Sequence, residues 1–127
     1  RKMLPGREVV SAQTARTLRG LLEQVVADGT GRHAQVEGYR VGGKTGTAQK
    51  MGPDGRYSHS DFVASFVGFA PADNPVVTVL VMLDEPRPVY YGGLVSAPVF
   101  SEIVSQVLPH LGVTAEKQEV SVARAQP

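Results

Sequence analysis

From Ser11 to Gly29 the apolar residues Ala15, Leu18, Leu22 and Val25 recur every three or four positions, the spacing of one helix face. Leu21 and Val26 widen the stripe, Ser11 supplies an N-cap, and Gly29 after Asp28 supplies a stop, so the chain opens on a helix. Beyond it the period changes. Residues 39–50 suit a strand carrying several glycines, a composition that marks close approach of something to the backbone. Gly52-Pro53-Asp54-Gly55 is turn chemistry. Residues 62–69 then alternate, with Phe62, Ala64, Phe66 and Gly68 on one face and Val63, Ser65, Val67 and Phe69 on the other. Residues 76–83 are almost continuously apolar, which predicts a strand covered on both faces. A loop carrying Tyr90, Tyr91, Gly92 and Gly93 leads to a second helix from Ala97. Pro98 suits its first turn, Phe100, Ile103, Val104, Val107 and Leu108 repeat at helical spacing, and Pro109 ends it. The order is helix, three antiparallel strands, helix, an α+β arrangement. We expect one unit over residues 1–112 and a flexible polar tail over 113–127.

Composition narrows the picture by exclusion. The 127 residues allow one compact unit, and an apolar share of 42% supports a core for it. Lys plus Arg number 13 against 12 Asp plus Glu, a net charge of +1, which leaves no electrostatic footprint for nucleic acid. The lack of Cys removes thiol catalysis, disulfides and zinc–thiolate sites. His33, His59 and His110 share no ligand spacing, so neither metal nor cofactor is expected. No apolar window approaches the roughly 18 residues that span a bilayer. The chain opens at Arg1 with no signal peptide, and we read it as a piece excised from a longer protein.

Two motifs compete for the same residues. Gly38-Tyr39-Arg40-Val41-Gly42-Gly43-Lys44-Thr45 satisfies the phosphate-loop pattern G-x-x-x-x-G-K-[ST]. That loop needs a buried apolar strand before it and a helix opening at its Lys, whose N-terminus faces the phosphates. Here Arg32-His33-Ala34-Gln35-Val36-Glu37 precedes it, and Gly46 and then Gly52-Pro53 interrupt any helix after it. Both halves of the context fail, which disfavours nucleotide hydrolysis. Lys44-Thr45-Gly46 is also the third signature element of penicillin-binding proteins and serine β-lactamases. A bare triplet arises by chance in on the order of a few per cent of chains this long, so its context must carry the weight.

That context is collinear. Residues 39–50 with the triplet, Gly52-Pro53-Asp54-Gly55-Arg56-Tyr57, Val67-Gly68-Phe69-Ala70-Pro71-Ala72, and the run from Tyr90-Tyr91-Gly92-Gly93 to Phe100 resemble successive segments of class B penicillin-binding proteins. The wording is most similar to the division-specific septal transpeptidase, the FtsI type, and the likeness runs over residues 11–111. The resemblance implies part of a five-stranded transpeptidase sheet with the triplet on a cleft-lining edge strand. It implies a D,D-transpeptidase that cross-links peptidoglycan stem peptides, is blocked by β-lactams, and works with division machinery that includes a lipid-linked glycan polymerase. It further implies the extracytoplasmic side of a bacterial inner membrane and an N-terminal anchor helix outside this chain. Lys44 and Thr47 would be the catalytic contributors. Thr45, Gly46, Thr47, Phe62, Tyr90 and Tyr91 would contact substrate.

The chain departs from the pattern in one respect. No Ser is followed three residues on by Lys, and no S-x-N triplet occurs. Ser60-Asp61-Phe62 comes nearest, but it ends in Phe and follows the Lys-Thr-Gly triplet. The chain alone is therefore expected to be inactive, with nucleophile and base in a missing part. The alternative from another class is a non-catalytic module whose sheet edge binds a peptide or protein. Severed from a strand partner, residues 76–83 are expected to make the chain self-associate.

Overall fold

The computed structural model describes residues 6–116. Helix α1 is Ala12–Ala27, and the Ser11 hydroxyl caps it by accepting from the Thr14 N–H at 3.1 Å. A single 3-10 turn, Arg32–Ala34, leads to strands β1 (Gly42–Met51), β2 (Tyr57–Ala70) and β3 (Val77–Asp84). A short helix α2 (Gly92–Val95) and helix α3 (Ala97–His110) complete the chain's α+β order. The strands form one antiparallel sheet in the order β1-β2-β3, so β1 and β3 are its two edges.

Register sorts the side chains onto two faces. Lys44 pairs with Val67, Gly46 with Ser65 and Thr45 with Phe66 across β1 and β2. Val67 pairs with Leu80 and Phe66 with Val81 across β2 and β3. Because strand side chains alternate, Thr45, Thr47, Ala64, Phe66 and Val81 share an inner face, while Lys44, Gly46, Val67, Leu80 and Met82 share the outer one. Helix α3 covers the inner face with Phe100, Val104 and Leu108, all fully buried. Phe66 and Phe100 meet at 4.9 Å in a tilted pair, the centre of the core. Burying each such ring contributes on the order of 2 kcal/mol.

The sheet corrects one expectation and fills in another. Residues 76–83 are not covered on both faces: Leu80 is 58% and Met82 60% exposed on the outer face. Among the described residues, helix α3 packs against one side of β3 only, and no element takes the other. The close approach that the glycines of β1 mark comes, at Gly42 and Gly43, from rings of the same sheet. A side chain at Gly42 would collide with the Phe69 ring, and one at Gly43 with the Phe66 ring, so their open space is filled from within the fold.

Boundaries differ for physical reasons. Strand β1 begins at Gly42 rather than Tyr39, because Gly38 turns the chain at φ 76° and closes an isolated bridge between Val36 and Tyr39. Strand β2 starts at Tyr57 rather than Phe62, since Tyr57 regains pairing with Met51 past a register shift. The expected loop at Gly92 contains α2, where the Tyr91 carbonyl accepts from the N–H of Leu94 and of Val95. Pro109 lies inside α3, one residue short of its end, where the ring tolerates the final turn. Of the expected tail, residues 113–116 lie against the Gly38 turn: Tyr39 Oη donates to the Val113 carbonyl at 2.8 Å, and the Glu116 N–H to that of Gly38 at 2.7 Å. Residues 117–127 lie outside the described residues.

Helix α1 is tied down by polar contacts more than by burial. Val26 is its one buried residue, and Leu18 and Leu21 remain exposed. Gln35 Nε2 donates to the Val26 and Ala27 carbonyls, satisfying the helix's C-terminal end. Arg40 forks onto the two Glu23 carboxylate oxygens at 2.6 and 2.8 Å, and this pairing raises the guanidinium pKa. These bonds set the 28–33 loop beside β1.

Candidate active site

Strand β1 carries the Lys-Thr-Gly triplet along an edge with no strand partner among the described residues. Lys44 stands exposed on the outer face, and its Nζ reaches the next residue, donating to the Thr45 carbonyl at 3.0 Å and to Thr45 Oγ1 at 3.1 Å. Thr45 and Thr47 project from the inner face into a cleft of about 610 Å3. Residues 28–33 and the start of α2 supply its other walls. Thr30 Oγ1 lies 3.3 Å from Thr45 Oγ1, so two hydroxyls converge there.

The start of α2 is seated on the sheet by a missing side chain. A Cβ at Gly92 would collide with the carbonyl oxygens of Ser65 and Gly46. Without one, the Gly92 N–H comes close enough to donate to Thr47 Oγ1 at 3.2 Å. That leaves the Thr47 hydroxyl proton free to donate to a bound group. A side chain at Gly93 would likewise collide with the Thr30 carbonyl, which narrows the cleft.

Three aromatics gather beside it. Phe62 of β2 and Tyr90 stack at 4.1 Å with their planes 7° apart. Tyr91 follows at 4.6 Å from Tyr90, and the two phenol oxygens lie 3.4 Å apart. That hydrogen bond to Tyr91 holds the Tyr90 phenol above its usual pKa. The resemblance implied that all three contact substrate, and the structure joins them in a single row. Its inner neighbour is the cleft, since Tyr91 lines it.

Two contributors escaped the sequence. Thr30 sat in a loop with no motif. Asp61 looked like part of a failed S-D-N triplet, whereas the structure binds it to Ser58 Oγ at 2.8 Å and Arg87 Nη2 at 2.7 Å. Those bonds, Ser58's first, hold its carboxyl below the usual carboxylate range. His33 lines the cleft and is exposed, as expected of a surface histidine.

A Lys-Thr-Gly edge strand thus lines one cleft, with two further antiparallel strands beside it and a helix across their inner face. The family model for the penicillin binding protein transpeptidase domain matches residues 2–105. The chain belongs to that family, as part of a class B, FtsI-like transpeptidase domain. It is 50% identical over 115 residues to stage V sporulation protein D of Bacillus subtilis, covering 90% of this chain and 18% of that protein. With the peptidoglycan D,D-transpeptidase FtsI of Escherichia coli it shares 41% over 112 residues, 87% of this chain and 19% of that protein. The transpeptidase domain of Burkholderia pseudomallei penicillin-binding protein 3 superposes with a TM-score of 0.79 at 48% identity, over 88% of this chain and 34% of that one. The chain thus spans about a fifth of these curated relatives.

Proposed function

We propose that the chain supplies the substrate-holding edge of a peptidoglycan D,D-transpeptidase. The observation that carries this reading is the triplet on a sheet edge with no strand partner among the described residues, with Thr45 and Thr47 lining one cleft. In the reaction a serine Oγ attacks the carbonyl carbon of a D-alanyl-D-alanine bond, and the C–N bond breaks to release the terminal D-alanine. The amine of a second stem peptide then displaces the serine and forms the cross-link. This chain holds no S-x-x-K and no S-x-N sequence, so nucleophile and base must come from elsewhere in the working enzyme.

The roles follow from placement. Lys44 brings positive charge to the cleft and assists proton movement. Thr45 and Thr47 hydroxyls hold the substrate carboxylate, and Gly46 keeps the strand between them free of a side chain. The Thr47 N–H is one oxyanion donor, a contribution of about 3 kcal/mol in the transition state. Phe62, Tyr90 and Tyr91 wall the apolar side. We assign the work to septal wall synthesis on the outer side of the inner membrane, with an anchor helix outside this chain and partners in the division machinery, including a glycan polymerase. The 50% identity to a sporulation protein favours a sporulation role as the second reading. Localisation of the tagged protein during vegetative division decides between them.

A labelled penicillin tests the activity. A protein joining this chain to upstream S-x-x-K and S-x-N motifs should take up one denaturation-resistant label, and this chain alone should take up none. A stoichiometric adduct on the chain alone, seen by mass spectrometry, would refute the division of labour.

The isolated chain should also self-associate through β3. Its edge lacks a strand partner among the described residues, and Leu80 and Met82 extend an apolar outer face beside it. Light scattering should give a multimer, and Leu80→Lys with Met82→Lys, both at exposed positions, should return it to a monomer. A wild-type monomer at high concentration would show that the edge is covered.

A further inference from the structure

We infer that the Asp61–Arg87 ion pair is a positioning device for the Tyr90–Tyr91 wall, and so tunes which acyl side chains the site accepts. The inference rests on the transpeptidase reading.

Strand β2 runs past β3: its pairing with β3 begins at Val63, so residues 57–61 overhang β3 while Tyr57 still pairs with Met51 of β1. Asp61 sits at the end of that overhang, next to Phe62. The loop from Glu85 to Tyr91 must return from β3 to the cleft over the same ground. Its entry is fixed by the Glu85 N–H, which donates to the Phe62 carbonyl at 2.9 Å. Its middle is fixed by Arg87, whose Nη2 meets Asp61 Oδ1 at 2.7 Å. Its exit is fixed by Gly92, seated on Gly46 and Ser65. The two tyrosines lie between the last two anchors.

Asp61 is itself aimed. Ser58 Oγ donates to its second carboxylate oxygen at 2.8 Å and accepts from the N–H of Asp61 at 3.0 Å and of Ser60 at 3.2 Å. The carboxylate therefore points one oxygen back at its own strand and the other at the loop. Tyr90 lies three positions beyond Arg87, a reach of about 10 Å at most, so releasing Arg87 frees the ring stacked on Phe62. Gly92 would still hold the cleft floor at Thr47. Loss of the pair should thus disturb the aromatic wall and spare the carboxylate and oxyanion groups.

The test compares two β-lactams on the longer protein that carries this chain. One has an aromatic acyl side chain, and the other is the bare penicillin nucleus with no acyl group. Arg87→Ala should slow acylation by the first about tenfold, the scale of one aromatic contact, and leave the second unchanged. Arg87→Lys should restore most of the loss. Raising ionic strength to about 1 M, where screening length falls to about 3 Å, should reproduce it in the wild type. Equal slowing with both compounds, or none with either, would overturn the inference. If the wild type is acylated by neither, it is the transpeptidase reading that fails. The clamp is then decided on the chain itself by the ring-current shift between Phe62 and Tyr90, which Arg87→Ala must abolish; an unchanged shift rejects it.

Discussion

Lys44→Ala, placed in the longer protein, is expected to slow acylation by penicillin about a hundred- to a thousandfold while leaving the cooperative thermal transition in place. The rate loss follows from charge. The ammonium is a cationic donor bonded to the Thr45 carbonyl and to the Thr45 hydroxyl, and Thr45 lines the cleft. Removing one such donor from a site where negative charge develops costs factors of that size. The fold survives because Lys44 is exposed on the outer face of an edge strand and reaches no buried partner. Exposed substitutions of that kind change stability by about 0.5 kcal/mol or less. Acylation kinetics and a melting curve on the same variant check both halves. A variant that melts without cooperativity yet acylates normally once folded would make Lys44 a structural residue.

Gly92→Ala should do the reverse, damaging stability and site together. The added methyl would press on two carbonyl oxygens of the sheet backbone, Ser65 and Gly46, and neither can rotate away as a side chain would. Overpacking of this kind costs about 1–3 kcal/mol. Relief requires α2 to lift from the sheet, which breaks the Gly92 N–H bond to Thr47 Oγ1 and carries Tyr91 off the cleft. Gly20→Ala makes the control. Gly20 lies in the interior of α1 with nothing within 4 Å of an added Cβ. There the better helix former should gain about 1 kcal/mol. Chemical denaturation of the two variants should therefore move in opposite directions. Equal and opposite-to-expected shifts, or a neutral Gly92→Ala, would show that α2 is not seated as described.

Much of the molecule was legible in the sequence because much of it is local. The Ser11 cap, the four-residue stripe of α1 and the Phe100–Val104–Leu108 spacing of α3 are one-helix properties, written in hydrogen bonds between near neighbours. The three strands were readable from turn residues and alternation, and the Lys-Thr-Gly triplet from its place within that order. What tertiary structure alone decided is which distant groups meet. A continuous apolar run such as residues 76–83 records that burial is available, and not which elements provide it. Here one helix covers one face and leaves Leu80 and Met82 exposed. The glycines of β1 signalled close approach without naming the visitor, and packing filled Gly42 and Gly43 with the rings of Phe69 and Phe66. Asp61 and Arg87 lie 26 residues apart with no shared period, so no local pattern couples them. They meet because a long β2 overhangs β3 just where the β3–α2 loop must cross it. The sequence determined the elements and the chemistry that β1 carries; the path of that loop, and with it the aromatic wall beside the cleft, was set by long-range packing that no stretch of the chain encodes by itself.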